Sequence, residues 1–422
     1  MRKSIKTILG GAILVALPML LTSCEGTLDD VFGEWSRPTP TDNSGSGSTP
    51  AASSNYMAWN GTALAAEAIP SDAKEVTTAT TKFEGGIYVV KSDVTCNAIN
   101  VTATSKLIIY DGAKLTVTGH IEDESGTGDF TLSIYGQENQ TGQLIINGDN
   151  TNCLWVKNIE LHGGDITLTA TASGTDPRLS GLKTGNNLSI YGGKVKATGA
   201  DADATNPGAA GIDCGGNLTI KGEAIVKAYG GAKSGSKKGG IGINVGGTID
   251  ITGNADVYCK GRGDHSLFAV GNIVLSATKV EAESPVADGD GSGIYTSGDI
   301  TISGGTVIAA SGENGDGINA SNLVINGGTV TATSNSKDAI RVSTSINITT
   351  GVNKVEMINP SESSDPTGAQ AYKFASTDGT ITLGGVDTNY MTWYGYSVSG
   401  AIAAYPKLSY DGTTRTLTYN PN

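Results

Sequence analysis

An aspartate recurs at one point of a repeated phrase. In GDGINASNLVINGGTVTATSNSKDAIRV, residues 315–342, Asp316-Gly-Ile318 and Asp338-Ala-Ile340 open successive rounds 22 residues apart. Asp264, Asp288 and Asp290 precede the apolar anchors Leu267 and Ile294 in a similar turn. If rounds stack, Asp316 and Asp338 lie about one strand spacing (~4.8 Å) apart. Neighbouring carboxylates repel unless protonated or bridged by a cation. Calcium suits that bridge, because it takes several oxygen ligands in loose geometry and turn carbonyls can complete its shell. Aspartate also favours turns for its own hydrogen bonding to backbone, so turn chemistry alone would place it there.

Two further groups carry chemical potential. Tyr110, Tyr135, His162 and Tyr191 each follow the first residue of an apolar pair by three positions. In stacked strands they would form an outward strip of flat rings, suited to the C–H faces and hydroxyls of sugars. Ladders of like residues also stabilise strands without binding anything. The insert AYGGAKSGSKKGG, residues 228–240, carries Lys233, Lys237 and Lys238, with Lys194, Lys196, Lys221 and Lys227 in neighbouring rounds. It could meet uronate or sulfate groups, or be a solvated loop. Lyase chemistry on uronates needs a base beside a cation, and Lys337 and Arg341 flank the Asp338 turn. The three histidines, His120, His162 and His265, lack a Gly-His-Gly context, and no lyase signature emerges.

The elements that must position these residues come from a count. Pairs of large apolar residues, one residue apart, begin at Leu107, Leu132, Ile159, Leu188, Leu218, Ile249, Ile273, Ile300, Leu323 and Ile346. The mean step is about 27 residues. In a strand, i and i+2 share a face, so each pair points one way. Seven of the ten rounds then place glycine four positions on, as at Gly192 and Gly222, where a sharp corner is expected. A second apolar strand and a third, such as Gly317-Ile318, complete the round. One round cannot bury its apolar face alone, whereas stacked rounds share a core. The chain of 422 residues with 60 glycines and 6% aromatics suits many short strands rather than helices. The fold expected is all-β: a right-handed parallel β-helix of about ten coils with end caps.

The phrases GDGINASNLVINGGTVTATS, KDAIRV, SGIYTSGDITISGGTVIAAS and GIDCGGNLTIKGEAIVKA resemble the repeats of a bacterial family of secreted carbohydrate-binding β-helix proteins, similar in fold to pectate lyases. The likeness covers roughly residues 180–350. It implies glycan binding, with calcium at the turn carboxylates; the family's Asp-Asp-Gly-Ile pattern is incomplete here.

The beginning of the chain reads as a processing signal. Arg2, Lys3 and Lys6 precede an apolar run from Ile8 to Leu21, and Leu21-Thr-Ser-Cys24 resembles the bacterial lipobox. Residues 1–23 are thus expected to be a lipoprotein signal peptide and Cys24 the lipidated residue. Residues 24–55, rich in Pro, Gly, Ser and Thr from Ser36 onward, would be a flexible tether. Residues 56–100 are assigned to an N-terminal cap and first coil, 101–354 to the β-helix, and 355–422 to a C-terminal cap or small β module. Removing the signal takes three of 28 positive side chains and leaves 25 against 41 Asp and Glu, a net −16. That charge argues against nucleic acid as partner. Cys214 and Cys259 occupy inward slots for small residues, and with Cys96 and Cys153 they are expected as free buried thiols. Asn55-Tyr-Met-Ala-Trp-Asn-Gly61 is echoed by Asn389-Tyr-Met-Thr-Trp-Tyr-Gly395, which suggests paired caps or, more boldly, head-to-tail contact; a monomer is the expectation. Together these point to a non-catalytic lipoprotein of the bacterial outer membrane, exposed at the cell surface and binding polysaccharide or glycan. A uronate lyase and a structural or adhesive stalk contacting host protein are the alternatives.

Overall fold

Each turn of the chain repeats one itinerary in the computed structural model. The structure describes residues 54–123, 128–172, 179–284, 291–335, 337–349 and 351–358, with short strands at Ile381–Leu383, Val386–Asp387, Leu408–Asp411 and Thr416–Tyr419. These residues all belong to the unit spanning Ala51–Asn422. One turn runs from a strand of sheet one (Leu188–Ile190) around a glycine corner to sheet two (Lys194–Thr198). A longer loop then leads to sheet three (Ile212–Cys214), and a polar turn opens the next round at Leu218–Ile220. Successive rounds pair in parallel: Leu188 with Leu218, Lys194 with Ile225, Ile212 with Ile243. The result is the expected right-handed parallel β-helix, with about nine turns.

Strand parity builds the interior. Every three-residue strand of sheet three buries its first and third residues and turns the middle one outward. Leu, Ile, Val and Ala columns from all three sheets merge into one core cluster running from Val76 to Tyr419. Cys214 stacks on Thr184 and Val245, and Cys259 on Ala228 and Ala282. All four described cysteines are buried and free.

The corners need glycine for a concrete reason. Gly193 adopts φ +73°, and a Cβ there would stand 2.4 Å from the Gly164 carbonyl oxygen of the rung below. In the Gly-Gly corners this left-handed residue is the second glycine, as at Gly164, Gly193, Gly305 and Gly328, not the first. At Gly222 and Gly253 the fourth-position residue itself takes it, as the sequence suggested.

Polar side chains tie the rungs together. At the turn into sheet one, Asn187 Oδ1 accepts the Asn217 N–H at 3.0 Å and Asn217 Oδ1 accepts the Thr248 N–H at 2.9 Å. Asn272 does the same for the Asp299 N–H, at 2.9 Å. Each bond satisfies a turn N–H that no strand partner reaches.

The two ends differ from the regular turns. Asn55–Trp59 and Leu64–Ala68 form an antiparallel hairpin with a sheet of its own. It lies against the outer face of sheet one rather than across the first rung, which Lys74–Glu75 supplies by pairing with Lys82–Val90. Beyond the parallel rungs, Thr416–Tyr419 pairs antiparallel with Val355–Ile358 and with Leu408–Asp411. Residues 1–53, with the signal segment, Cys24 and most of the tether, lie outside the described residues, as does the echo at Asn389–Gly395.

Candidate functional site

The aromatic strip exists, but in a different register and under cover. Leu107 pairs with Ile134, not with Leu132, and Ser105 stands opposite Leu132; this shift of two residues leaves Leu107 and Ile109 inward as expected. Ile108 therefore occupies the file position expected of Tyr110, which lies two residues beyond it. The file reads Val89, Ile108, Tyr135, His162, Tyr191, Lys221. Tyr135 and His162 stack at 4.4 Å and 13°, and His162 meets Tyr191 at 5.1 Å. The hairpin closes over them: Tyr56 packs edge-on against Tyr135, and Trp59 stacks on Tyr191 at 5.1 Å and 4°. Tyr135 and His162 are consequently buried, while Tyr110 and Tyr191 are partly exposed. As folded, this strip binds the protein's own hairpin.

The recurring aspartates sit in a ladder of acceptors. At the position two before several sheet-three anchors, though not at Ala210 and Ile241, one side chain accepts the N–H of its counterpart one rung on. Asn152 Oδ1 takes Ser180 N–H at 2.8 Å, and His265 Nδ1 takes Ser292 N–H at 2.9 Å. Ser292 Oγ takes Asp316 N–H at 3.3 Å, and Asp316 Oδ1 takes Asp338 N–H at 3.2 Å. Asp316 Oδ2 accepts the Asn319 amide at 2.6 Å. Burial is the main influence on the Asp316 carboxyl and pushes its pKa up, against the pull of these donors, Arg341 and Lys337. Its two oxygens are thus engaged within the protein. Asp264 lies apart, on the groove described next, and Asp288 and Asp290 fall outside the described residues. Among the described residues no group of three or more His, Cys, Asp or Glu side chains converges as a metal site.

Sheet three presents the more open surface. Its outward file runs Glu122, Trp155, Lys183, Asp213, Asn244, Phe268, Tyr295, Asn319, Arg341. From Trp155 to Tyr295 this is six rungs and five steps, about 24 Å at the strand spacing. Lys183 Nζ lies 5.3 Å from the Trp155 ring centroid and 3.8 Å from the Asp213 carboxylate. Asn244 donates to Asp213 Oδ1 at 2.8 Å. Phe268 and Tyr295 are coplanar within 2° at 5.6 Å, and His265 stacks on both, at 5.5 and 4.5 Å. The Ser292 N–H fixes the His265 proton on Nε2, which stands 3.7 Å from Asp264 Oδ1. All three rings keep part of their surface in solvent.

Two long connections raise a wall beside this file. Residues 199–211 and 230–242 stack through Ala202 N–H to Ala232 O at 2.8 Å and Gly208 N–H to Lys238 O at 2.9 Å. Asp203 accepts from Thr205 and Asn206, which holds its carboxyl well below the usual range and fixes the first loop. The basic insert is folded: Ser234 and Lys237 exchange backbone hydrogen bonds around Gly235, and Asp201 Oδ1 accepts the Ala232 N–H at 2.7 Å. Between wall and sheet lies an open groove of about 520 Å³ whose lining includes Asp213, Asn244, Asp264, Lys237 and Lys238. Lys337 and Arg341 are exposed farther along, where Arg341 follows Asn319 in the file.

The groove face is not among the sites read from the sequence, although its signal was present. Leu154-Trp-Val, Leu182-Lys-Thr, Ile212-Asp-Cys, Leu267-Phe-Ala and Ile294-Tyr-Thr align as apolar-x-small triplets. Their middle residues spell the file. The chain matches no family model, no curated protein and no solved structure.

Proposed function

We propose that the protein binds a polysaccharide or glycan, without catalysis, along the groove of sheet three. The observation that carries this reading is the parallel, stacked Phe268–Tyr295 pair with His265, which continues the file one rung beyond Asn244 of the walled groove of amides and charged groups. Sugars offer an apolar C–H face to flat rings and hydroxyls to carboxylate and amide partners. A periodic row of such groups suits a linear chain better than a compact ligand. The resemblance of the repeats to secreted carbohydrate-binding β-helix proteins supports the same assignment. Surface anchoring through Cys24 completes the proposal, with the tether holding the binding face away from the membrane.

A glycan array run with calcium and with chelator tests it, followed by titration of the hits against Phe268→Ala and Tyr295→Ala. Each truncation is expected to weaken binding about 3- to 10-fold, from the worth of an aromatic contact. Unchanged affinity in both variants moves the site to another face. Binding to host protein in place of every glycan supports the stalk, and release of unsaturated product from polyuronate supports the lyase. Loss of binding with chelator alone makes calcium part of the site.

A further inference from the structure

The hairpin over sheet one is held by a titratable acceptor. Trp59 N–H donates to His162 Nδ1 at 3.0 Å. That bond places the imidazole proton on Nε2, and Nε2 is buried without a hydrogen-bond partner, 3.6 Å from Glu160 Oε2. An incoming proton can bind only at Nδ1, where it would face the Trp59 N–H donor to donor. We propose that the hairpin Asn55–Ala68 is an acid-released strap, opened by protonation of His162, and that its release bares the stacked rings of Tyr135, His162 and Tyr191.

Charged groups from several elements surround the imidazole on which the latch depends. Glu160 is on the same strand; the nearby His162 and the Ser133 Oγ donor at 2.9 Å hold its carboxyl below its ordinary range. An ionised Glu160 therefore faces the imidazolium. From two rungs earlier Lys106 opposes it, lying 5.4 Å from the Tyr135 ring centroid and 3.3 Å from Tyr56 Oη. The rung after Tyr191 carries the Lys221–Asp250 pair, closed at 2.8 Å. From the hairpin come Tyr56 and Glu67, bonded to each other. The strap is held further by the packing of Tyr56 and Ala58 on Val89, Ile108 and Tyr135, by the Trp59–Tyr191 stack, by Gln137 Nε2 to Asn55 O at 3.1 Å and by contacts at two glycines. A Cβ on Gly192 would stand 2.6 Å from Leu64 Cδ1, and one on Gly222 3.0 Å from the Trp59 ring. The hairpin is a separate two-stranded sheet and contributes no strand to the parallel rungs, so its release breaks no rung-to-rung pairing.

Hydrogen exchange of the native protein, corrected for intrinsic exchange chemistry, tests this between pH 8.0 and 5.5. Imidazoles ordinarily change charge in this span, whereas carboxyls stay ionised. Protection in Asn55–Ala68 is expected to fall at least about fivefold toward pH 5.5, the loss of one buried hydrogen bond. Protection in Ile243–Val245 should stay constant. In His162→Gln, which cannot titrate, strap protection should not vary with pH. Flat protection of the strap in the native protein overturns the proposal, as does the same pH dependence in His162→Gln. The nitrogen shifts of His162 provide a second readout: the Nε2–H tautomer at pH 8.0 supports the latch, and the Nδ1–H tautomer overturns it.

Discussion

Replacing Asp316 separates a rung-to-rung acceptor from a cation ligand. Its Oδ1 accepts the N–H of Asp338 and its Oδ2 the Asn319 amide. In Asp316→Ala the buried Asp338 N–H loses its partner where water does not replace it, while the half-buried Asn319 can turn outward. An unsatisfied buried donor costs about 1–3 kcal/mol, and that is the destabilisation expected. Asp316→Asn retains an oxygen for the Asp338 N–H and should lose less than about 1 kcal/mol. The pH dependence carries a sign. Burial raises the folded pKa of Asp316 above its ordinary 3.8, so the folded chain holds that proton more tightly than the unfolded chain. The stability this group contributes is complete below the ordinary value and is lost as pH rises through the folded one. Relative to Asp316→Asn, the native protein should therefore gain stability as pH falls from 7 toward 4. Urea unfolding followed by circular dichroism, with slopes compared, measures both effects. Equal midpoints for the Ala and Asn variants at pH 7 would refute the ladder. So would a native-minus-Asn difference that ignores pH. If calcium raises the native midpoint and neither variant's, Asp316 is a cation ligand after all.

Other consequences are simpler to read. Burial raises the pKa of Cys96, Cys153, Cys214 and Cys259, Cys153 to about 12, so these thiols should ignore a disulfide reagent at pH 8 and react fully in denaturant. Gly193→Ala should destabilise by about 1–3 kcal/mol, since its φ of +73° and the Gly164 carbonyl both oppose a side chain. Gly185→Ala, whose Cβ would meet nothing nearer than 3.7 Å, is the tolerated control in the same melting experiment. Cys24→Ser should abolish incorporation of labelled fatty acid and move the protein from the membrane to the soluble fraction.

The interior was legible because strand parity and a short repeat decide it locally. Leu188, Leu218 and Ile249 stack as their spacing requires, and Cys214 and Cys259 fall in the inward slots assigned to them. The register differs by two residues at Leu107-Ile108-Ile109, a shift that keeps Leu107 and Ile109 inward and that parity therefore cannot detect, and with it went Tyr110. The exposure of the ring strip was not legible from its own residues. Tyr135 and His162 point outward as parity demands, yet they are covered by a hairpin that begins 80 residues before Tyr135 in the chain. The turn ladder left a visible trace, because Asn158, Asn187, Asn217, Asn272 and Asn322 all stand one residue before an anchor. What charge alone did not reveal at Asp316 is that Oδ1 accepts the backbone N–H of the next rung and Oδ2 the Asn319 amide.

Connection length explains why the open face is sheet three. Between sheets one and two the chain turns in three residues, Tyr191 to Gly193, a corner so tight that backbone of one rung touches backbone of the next. Such a corner cannot rise above the sheets and builds no wall. Between sheets two and three the link is thirteen residues at 199–211 and at 230–242, but six at 261–266. The two long links stand up and stack on each other, and the shorter one leaves a step beside them. Phe268 lies in the strand that follows the short link, and Asp213 and Asn244 in those that follow the long ones. A ligand lying along the file would therefore meet polar groups against a wall first and open rings beyond it. Shortening the insert by removing Ser234–Lys237 should lower affinity for long chains while sparing short ones that need only the Phe268–Tyr295 rings. Equal losses for short and long chains would mean that the wall shapes the protein and not the ligand.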